Sequence, residues 1–455
     1  MTDFPSLPLQ PALLQAVDAL GYAQMTPIQA ASLPPMLEGR DVIAQARTGS
    51  GKTAAFGLAL LSKLDAGAIT TQALVLCPTR ELADQVSKEI RRLARCVPNV
   101  KVLTLCGGIP LGPQIASLAH APHIVVGTPG RIQDLLTKKA LKLEALTVLV
   151  LDEADRMLDM GFEEDIAAIV KQAPKKRQTL LFSATWPEPI RAISTRVQRD
   201  PVAVTVDHAD DAIKQIYFEA EPARKLDALA VLLATHKPEA ALVFCNTKRD
   251  VDAVAEQLAQ WGYVALALHG DMEQRDRDEV LVRFANRSCA VLVATDVAAR
   301  GLDIKELPAV ISYELPTDAD AHVHRIGRTG RAGNSGLALN LVASRETGRV
   351  AMIDAALGTS AQWGRVDLSQ RSPKPPPPAM VTLAIDGGRQ DKLRPGDVVG
   401  ALTGEAGLRA DAIGKIDTFA TRSYVAVQRD QVARALERLR TGKIKGRSFR
   451  VRRID

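Results

Sequence analysis

Residues Asp41 to Thr53 most narrow what this chain can become. A short apolar run, Asp41 to Ala46, leads into Ala46-Arg47-Thr48-Gly49-Ser50-Gly51-Lys52-Thr53, and an apolar helical stretch begins there. Glycines at such a strand-to-helix turn let backbone N–H groups curl around phosphate oxygens. The helix N-terminus adds positive partial charge, Lys52 reaches the outer phosphates and Thr53 can hold Mg2+. Ala46 stands where the general pattern has its first glycine, and a glycine turn before an ordinary helix would look similar. A second feature decides between them. Asp152 follows the apolar run Val148-Leu149-Val150-Leu151, and a carboxylate at a buried strand end is costly unless it meets a cation. With Lys52 upstream in the same α/β pattern, Asp152 reads as a Mg2+ ligand, and Glu153 as the group that orients or deprotonates an attacking water. The chemistry implied is hydrolysis of a nucleoside triphosphate.

The same strand-then-helix alternation recurs. Asp41 to Ala46, Ala73 to Cys77, Val102 to Cys106, His123 to Gly127, Val148 to Asp152 and Thr179 to Ser183 are short apolar runs, each followed by Gly, Pro, Thr or Asp. Buried parallel strands with functional loops at their carboxyl ends read this way. The pattern restarts near Ile213, with strands expected at Ala241 to Cys245, Val264 to Leu268, Ala290 to Ala294 and Ala309 to Tyr313. The expected organisation is two tandem α/β domains with parallel sheets, residues 1–207 and 213–368. A proline-rich linker, 369–379, cannot enter a helix or central strand and reads as a semi-rigid spacer. Beyond it, residues 380–455 show a βαββαβ order: strands at Val381 to Ile385, Ala412 to Asp417, Ser423 to Gln428 and Ser448 to Arg452, and helices at Pro395 to Leu402 and from an Asp430 cap through Arg440 to Gly442.

Charge separates the tail from the body. Of the net +6, the segment from Met380 on carries +7, from sixteen Lys or Arg against nine Asp or Glu, which leaves −1 for everything before it. A basic tail on a near-neutral body suits contact with a polyanion. Five scattered cysteines without a CxxC pair make zinc or a disulfide framework unexpected and fit a reducing cytoplasm. Neither a signal peptide at Met1 to Gln10 nor an apolar run long enough for a membrane span is expected.

Taken in order, these motifs and several others resemble the DEAD-box RNA helicase family, over about 360 residues. Asp152-Glu153-Ala154-Asp155 spells the name-giving motif. The resemblance implies two RecA-like domains, ATP with Mg2+, and RNA as partner. It implies that Phe4 and Gln29 belong to the adenine site, Gln29 reading the base by two hydrogen bonds, with Thr48, Gly49, Ser50, Gly51, Lys52 and Thr53 on the phosphates and Asp303 on the ribose. Arg328 and Arg331 would reach the γ-phosphate as planar cations that stabilise charge on the transferring group. Ser183 and Thr185 would couple hydrolysis to strand separation through hydroxyl contacts to Asp155, with His324 in the same role. Arg80, Gly108, Thr128 and Arg131 in the first domain, and Thr247, Gly270, Arg277 and Thr295 in the second, would touch the RNA backbone, where arginine charge and Thr or Gly N–H groups suit phosphate. His322 departs from the family, which often has Tyr there.

The tail is similar to the RRM-like domain of the bacterial DbpA subfamily, which acts on 23S ribosomal RNA of the large (50S) subunit during its assembly. An ordinary domain of this type stacks bases on aromatics of its first and third strands. Here Tyr424 fills one such position, while Thr382, Ala384 and Ala426 offer no ring. The concentrated signal is Lys443, Lys445, Arg447, Arg450, Arg452 and Arg453, six cations in eleven residues, suited to clamp a folded RNA backbone. The expected activity is an RNA-dependent ATPase that locally unwinds short duplexes. A helicase of general RNA turnover and an ATP-gated RNA clamp share the same motifs.

Overall fold

Strands with no polar face become central strands of parallel sheets, because only there are both faces covered. Val148-Leu149-Val150-Leu151 shows how this works: Val148 and Val150 enter one core with Val42, Phe56 and Val86, while Leu149 and Leu151 enter another with Ile132, Ile166 and Ile190. Side chains alternate across a strand, so an all-apolar run buries both sides at once. The structure, a computed structural model, describes residues 3–46, 49–206, 213–299, 307–330, 336–369, 375–404 and 407–454. The described residues up to Val206 form one compact unit and those from Ile213 on form another.

In the first unit the strands are β1 (Val42–Gln45), β2 (Ala73–Leu76), β3 (Val102–Leu105), β4 (Ile124–Gly127), β5 (Val148–Asp152), β6 (Gln178–Ser183) and β7 (Val202–Thr205), in the order β3-β4-β2-β5-β6-β1-β7. Every pairing is parallel, so all carboxyl ends share one edge. The sequence did not announce β7: it is an edge strand, buried only at Val204, and it gains its ladder by lying beside β1.

The second unit opens with β8 (Ile213–Glu219), β9 (Ala241–Phe244), β10 (Ala265–Leu268), β11 (Val291–Ala294), β12 (Ala309–Ser312), β13 (Gly336–Val342) and β14 (Trp363–Gly364), ordered β10-β11-β9-β12-β13-β8-β14. Strand for strand this repeats the first sheet, again all parallel. The duplication is topological, with no repeat visible in the sequence. Two sheets of this order, each with helices over both faces, are RecA-like domains.

The tail forms a four-stranded antiparallel sheet from β15 (Met380–Ile385), β16 (Ile413–Thr418), β17 (Ser423–Gln428) and β18 (Val451–Ile454), ordered β16-β17-β15-β18. With its helices Pro395–Thr403 and Val432–Thr441 it is an RRM-like βαββαβ unit. Two local expectations are corrected. The last strand starts at Val451 rather than Ser448, because Ile444 and Arg447 first close a turn through Lys445 and Gly446, both at positive φ. Asp430 is not the helix cap: it sits in a 3-10 turn, accepts from the Gln431 side chain at 3.0 Å, and Gln431 holds the cap position.

One face of the tail sheet packs on its own helices through Leu383, Val398, Val425 and Leu439. The other packs on the second RecA-like domain. Ala384, Tyr424 and Ile454 meet Val282 there. Thr382 Oγ1 lies 2.6 Å from Ser288 Oγ and accepts from Asn286 Nδ2 at 3.3 Å, and Arg452 pairs with Glu279 at 3.1 Å. Pro375 to Met380 close a cavity of about 400 Å3 against Leu233, Tyr263 and Val291.

Candidate active site

Three neighbouring strands, β5, β6 and β1, end together and deliver the phosphate-site residues. From β1 the chain turns through Gly49 (φ 89) and Gly51 (φ 97) into the helix Lys52–Ser62. Gly51 is required twice over: its φ suits glycine, and a Cβ would stand 2.6 Å from Gln29 Nε2. Lys52 is 5 % exposed and its Nζ donates to Ala46 O at 2.7 Å. The ammonium thus folds back over the loop, on a carbonyl that a phosphate would replace. Thr53 follows at the second position of the helix, half-buried.

Asp152 closes β5. It is 3 % exposed, its Oδ1 has no hydrogen-bond partner among the described residues, and burial pushes its pKa up to about 7 despite the opposing pull of Lys52. An orphaned carboxylate oxygen in a dry site is what a divalent cation would satisfy, so the donor set of Asp152 and Thr53 fits Mg2+. Glu153 follows in the left-handed region, φ 54 and ψ 54, and starts the short helix Ala154–Asp159.

Asp155, 5 % exposed, ties β5 to β6. Its Oδ2 accepts from the backbone of Ala184 and of Thr185, both at 3.0 Å, and from Thr185 Oγ1 at 3.1 Å. Its own N–H donates to Ser183 Oγ at 3.4 Å. The hydroxyl contacts expected between these two motifs are present, reinforced by two backbone bonds that residue types alone do not reveal.

The two residues expected at the adenine site are both buried. Phe4, 1 % exposed, belongs to the core and stacks on Tyr22 at 6.5 Å, so it offers no open ring. Gln29 is 4 % exposed and both ends of its amide are engaged: Oε1 accepts from Thr26 N at 2.9 Å and Nε2 donates to Gly51 O at 3.1 Å. Gln29 here braces the phosphate loop, and reading a base by two hydrogen bonds would require it to exchange these partners. Thr48, Asp303 and Arg331 lie outside the described residues.

The neighbouring strands β3, β4 and β2 bring the first set of RNA-type residues together. Gly108 (φ 66) lies so close to Arg80 that a Cβ there would be 2.1 Å from Nη1. Thr128 Oγ1 accepts from Gly107 N at 3.4 Å, and Arg131 Nη1 donates to Ile109 O at 3.1 Å. Arg80, Gly108, Thr128 and Arg131 therefore surround one loop. In the second domain the equivalent strands β10, β11 and β9 carry the matching set. Thr247 caps the helix Lys248–Gln260, Gly270 is exposed, Arg277 donates to His269 O at 3.2 Å, and Thr295 accepts from Ala298 N at 3.3 Å.

Arg328 is 3 % exposed and His324 is half-buried on the helix Ala319–Ile326. The residue that sequence reasoning passed over here is Arg325, 1 % exposed. It forms a two-pronged pair with Asp296, both bonds at 2.7 Å, bonds Asn246 Oδ1 at 2.7 Å and lies over the Phe244 ring. Its signal was an arginine in the last turn of that helix and an aspartate just after the buried strand β11. In the tail, Tyr424 is 3 % exposed beneath the domain contact with Phe419 edge-on at 5.6 Å. The single aromatic position that the sequence offered on this face is thus covered by the helix bearing Val282. Lys443, Lys445, Arg447 and Arg450 are all exposed.

A phosphate loop, a dry aspartate beside it, and a second sheet of the same order define a tandem RecA-like nucleotide hydrolase. Comparisons with known proteins carry this further. Residues 26–193 match the DEAD/DEAH box helicase family, 224–333 the helicase conserved C-terminal domain and 382–453 the DbpA RNA binding domain. The chain is 56 % identical to the ATP-dependent RNA helicase DbpA of Escherichia coli across 99 % of both chains. It is 46 % identical to the DEAD-box ATP-dependent RNA helicase CshA of Bacillus cereus, covering 81 % of this chain and 70 % of that one. Among solved structures, S. cerevisiae Dbp5 bound to RNA and ADP BeF3 superposes with a TM-score of 0.75 at 30 % identity, covering 81 % of this chain and 96 % of that one. The chain belongs to the DEAD-box ATP-dependent RNA helicases, of the type that carries a DbpA RNA-binding domain, and is an RNA-dependent ATPase.

Proposed function

We propose that this protein locally unwinds short RNA duplexes and is targeted by its tail to 23S ribosomal RNA, acting in the cytoplasm on large-subunit assembly intermediates. The observation that carries the unwinding half is the knot at Asp155, which joins the segment that handles ATP to Ser183, Ala184 and Thr185. A change at the γ-phosphate side of β5 is thereby transmitted to the loop after β6. The rRNA target rests on likeness: the full-length relative at 56 % identity includes the tail, and Lys443, Lys445, Arg447 and Arg450 offer exposed charge to a folded backbone.

In this reading Lys52 gives up its bond to Ala46 O and takes the outer phosphates, while the Gly49–Gly51 backbone donates to their oxygens. Asp152 and Thr53 would hold Mg2+, which when bound supplies positive charge against the triphosphate. Glu153 aligns the attacking water and accepts its proton. Arg328 and Arg331 supply the cations that stabilise the departing charge, and Asp303 holds the ribose. Arg80, Gly108, Thr128 and Arg131, with Thr247, Gly270, Arg277 and Thr295, grip the sugar-phosphate backbone of one strand. Closure of the two domains on ATP and RNA together then admits only a bent single strand, which pries a short duplex apart.

The test is release of a labelled strand from a short duplex adjoining a large-subunit rRNA fragment. ATP-dependent release by the parent, and none by Glu153→Gln, is expected. Tight ATP-dependent RNA binding without release would instead mark a clamp.

A further inference from the structure

Glu153 is held by a partner that the chemistry above does not use. Arg156 lies one turn further along the short helix Ala154–Asp159, and its Nη1 donates to Glu153 Oε2 at 2.9 Å. The two side chains are 1 % and 5 % exposed, so the pair is sealed from water. A guanidinium in such surroundings needs an anion, and Glu153 provides one. The Arg156 backbone is fixed as well, its N–H donating to Asp155 Oδ1 at 3.0 Å. Arg156 is thereby anchored to the residue that knots β5 to β6. Glu153 itself starts from a left-handed backbone, φ 54 and ψ 54, a conformation that non-glycine residues keep only when their surroundings enforce it. That backbone sets where the side chain leaves, and the bond to Oε2 restricts the three side-chain torsions beyond it.

We propose that Arg156 is a positioning residue: it fixes the Glu153 carboxylate in the orientation from which it meets the attacking water, acting through Glu153 and touching no substrate. This rests on the reading of Glu153 given above. Alignment of a water demands a carboxylate held within a fraction of an ångström, and a planar, rigid guanidinium holds an oxygen more tightly than an ammonium on a flexible stem.

The experiment is RNA-stimulated ATP hydrolysis by the full-length chain carrying Arg156→Gln, Arg156→Lys, Glu153→Gln or the Arg156→Gln/Glu153→Gln pair, each checked by thermal melting. Arg156→Gln is expected to lower kcat about tenfold while KM for ATP stays within about twofold. Arg156→Lys, which keeps the charge, is expected to recover part of kcat. In single-turnover reactions with enzyme in excess, the double variant is expected to be no slower than Glu153→Gln alone, since the removed residue has nothing left to position. A parental kcat in Arg156→Gln, with Glu153→Gln inactive, overturns the proposal and leaves Glu153 in its role. A further loss in the double variant equal to that in Arg156→Gln overturns it too. Should Arg156→Gln not fold, Arg156→Lys decides: a reduced kcat at parental melting temperature supports the proposal, and a parental kcat overturns it. A Glu153→Gln chain that hydrolyses ATP at the parental rate overturns the reading of Glu153 itself.

Discussion

One carboxylate oxygen of Asp155 holds Thr185 twice, by its backbone N–H at 3.0 Å and by its hydroxyl at 3.1 Å. The same oxygen also accepts the Ala184 N–H. Three donors on one buried oxygen make a rigid joint between two strand ends, and removing one donor should loosen it without breaking it. Thr185→Val keeps both backbone bonds and loses only the hydroxyl, a cost of about 1 kcal/mol. Strand release should fall by roughly fivefold while RNA-stimulated ATP hydrolysis falls far less. Equal losses in both assays would show that this joint does not carry the coupling.

Gly51 gives a sharper test of the phosphate loop. A methyl group there would meet both Gln29 and Thr26 and would force a side chain into φ 97. Gly51→Ala should weaken ATP binding by about fivefold or more, through strain of about 1–3 kcal/mol, with little effect on RNA binding by the tail. Binding of a fluorescent ATP analogue measures this directly.

Gly108 plays the corresponding part beside Arg80. Because a Cβ would stand 2.1 Å from Arg80 Nη1, Gly108→Ala must push the guanidinium out of its place. The apparent affinity for single-stranded RNA should fall several-fold and its salt dependence should flatten by up to one phosphate contact. KM for ATP without RNA should not change. An RNA titration at two salt concentrations reads both effects.

His322 carries a pH signature. It is fully buried, stacks on Tyr217 at 6.4 Å, and burial with the nearby Arg325 charge lowers its pKa to about 4. A histidine depressed in the folded state contributes stability that is present above its unfolded pKa of about 6.5 and is lost as pH falls towards 4. His322→Phe should therefore flatten the acid limb of stability between these values, by up to about 3 kcal/mol. Urea midpoints at pH 5 and pH 7 for parent and variant would show it, and an unchanged difference between the two pH values would refute it.

The sequence was most legible where one physical demand dominates. Strands such as Ala73–Leu76 and Val148–Asp152 are buried on both faces, so apolarity alone reveals them, and Gly49 and Gly51 stand out because a turn around phosphate needs them. Two edge strands escaped, Val202–Thr205 and Trp363–Gly364, which owe their structure to β1 and β8, far away in sequence, and so did the interior strand Gly336–Val342, whose leading glycine and Asn340 interrupt the apolar run. The roles of Gln29, Arg156 and Arg325 were hidden for a related reason, since each depends on a partner chosen by the fold. Tyr424 is the clearest case. Its place on the third tail strand is readable, whereas the helix carrying Val282 that covers it belongs to another domain.

That covered face also sharpens the question of which RNA the tail chooses. With Tyr424 and Thr382 occupied, the proposed recognition would fall to the exposed cations from Lys443 to Arg450. The most direct measurement is RNA-stimulated ATP hydrolysis by the full-length chain, titrated with fragments of 23S rRNA and with unstructured RNA of equal length. One 23S fragment is expected to stimulate at concentrations at least about tenfold lower than the rest, a preference lost when Lys443, Lys445, Arg447 and Arg450 are replaced by Gln. Equal stimulation by every RNA would contradict the assignment of this enzyme to the large ribosomal subunit.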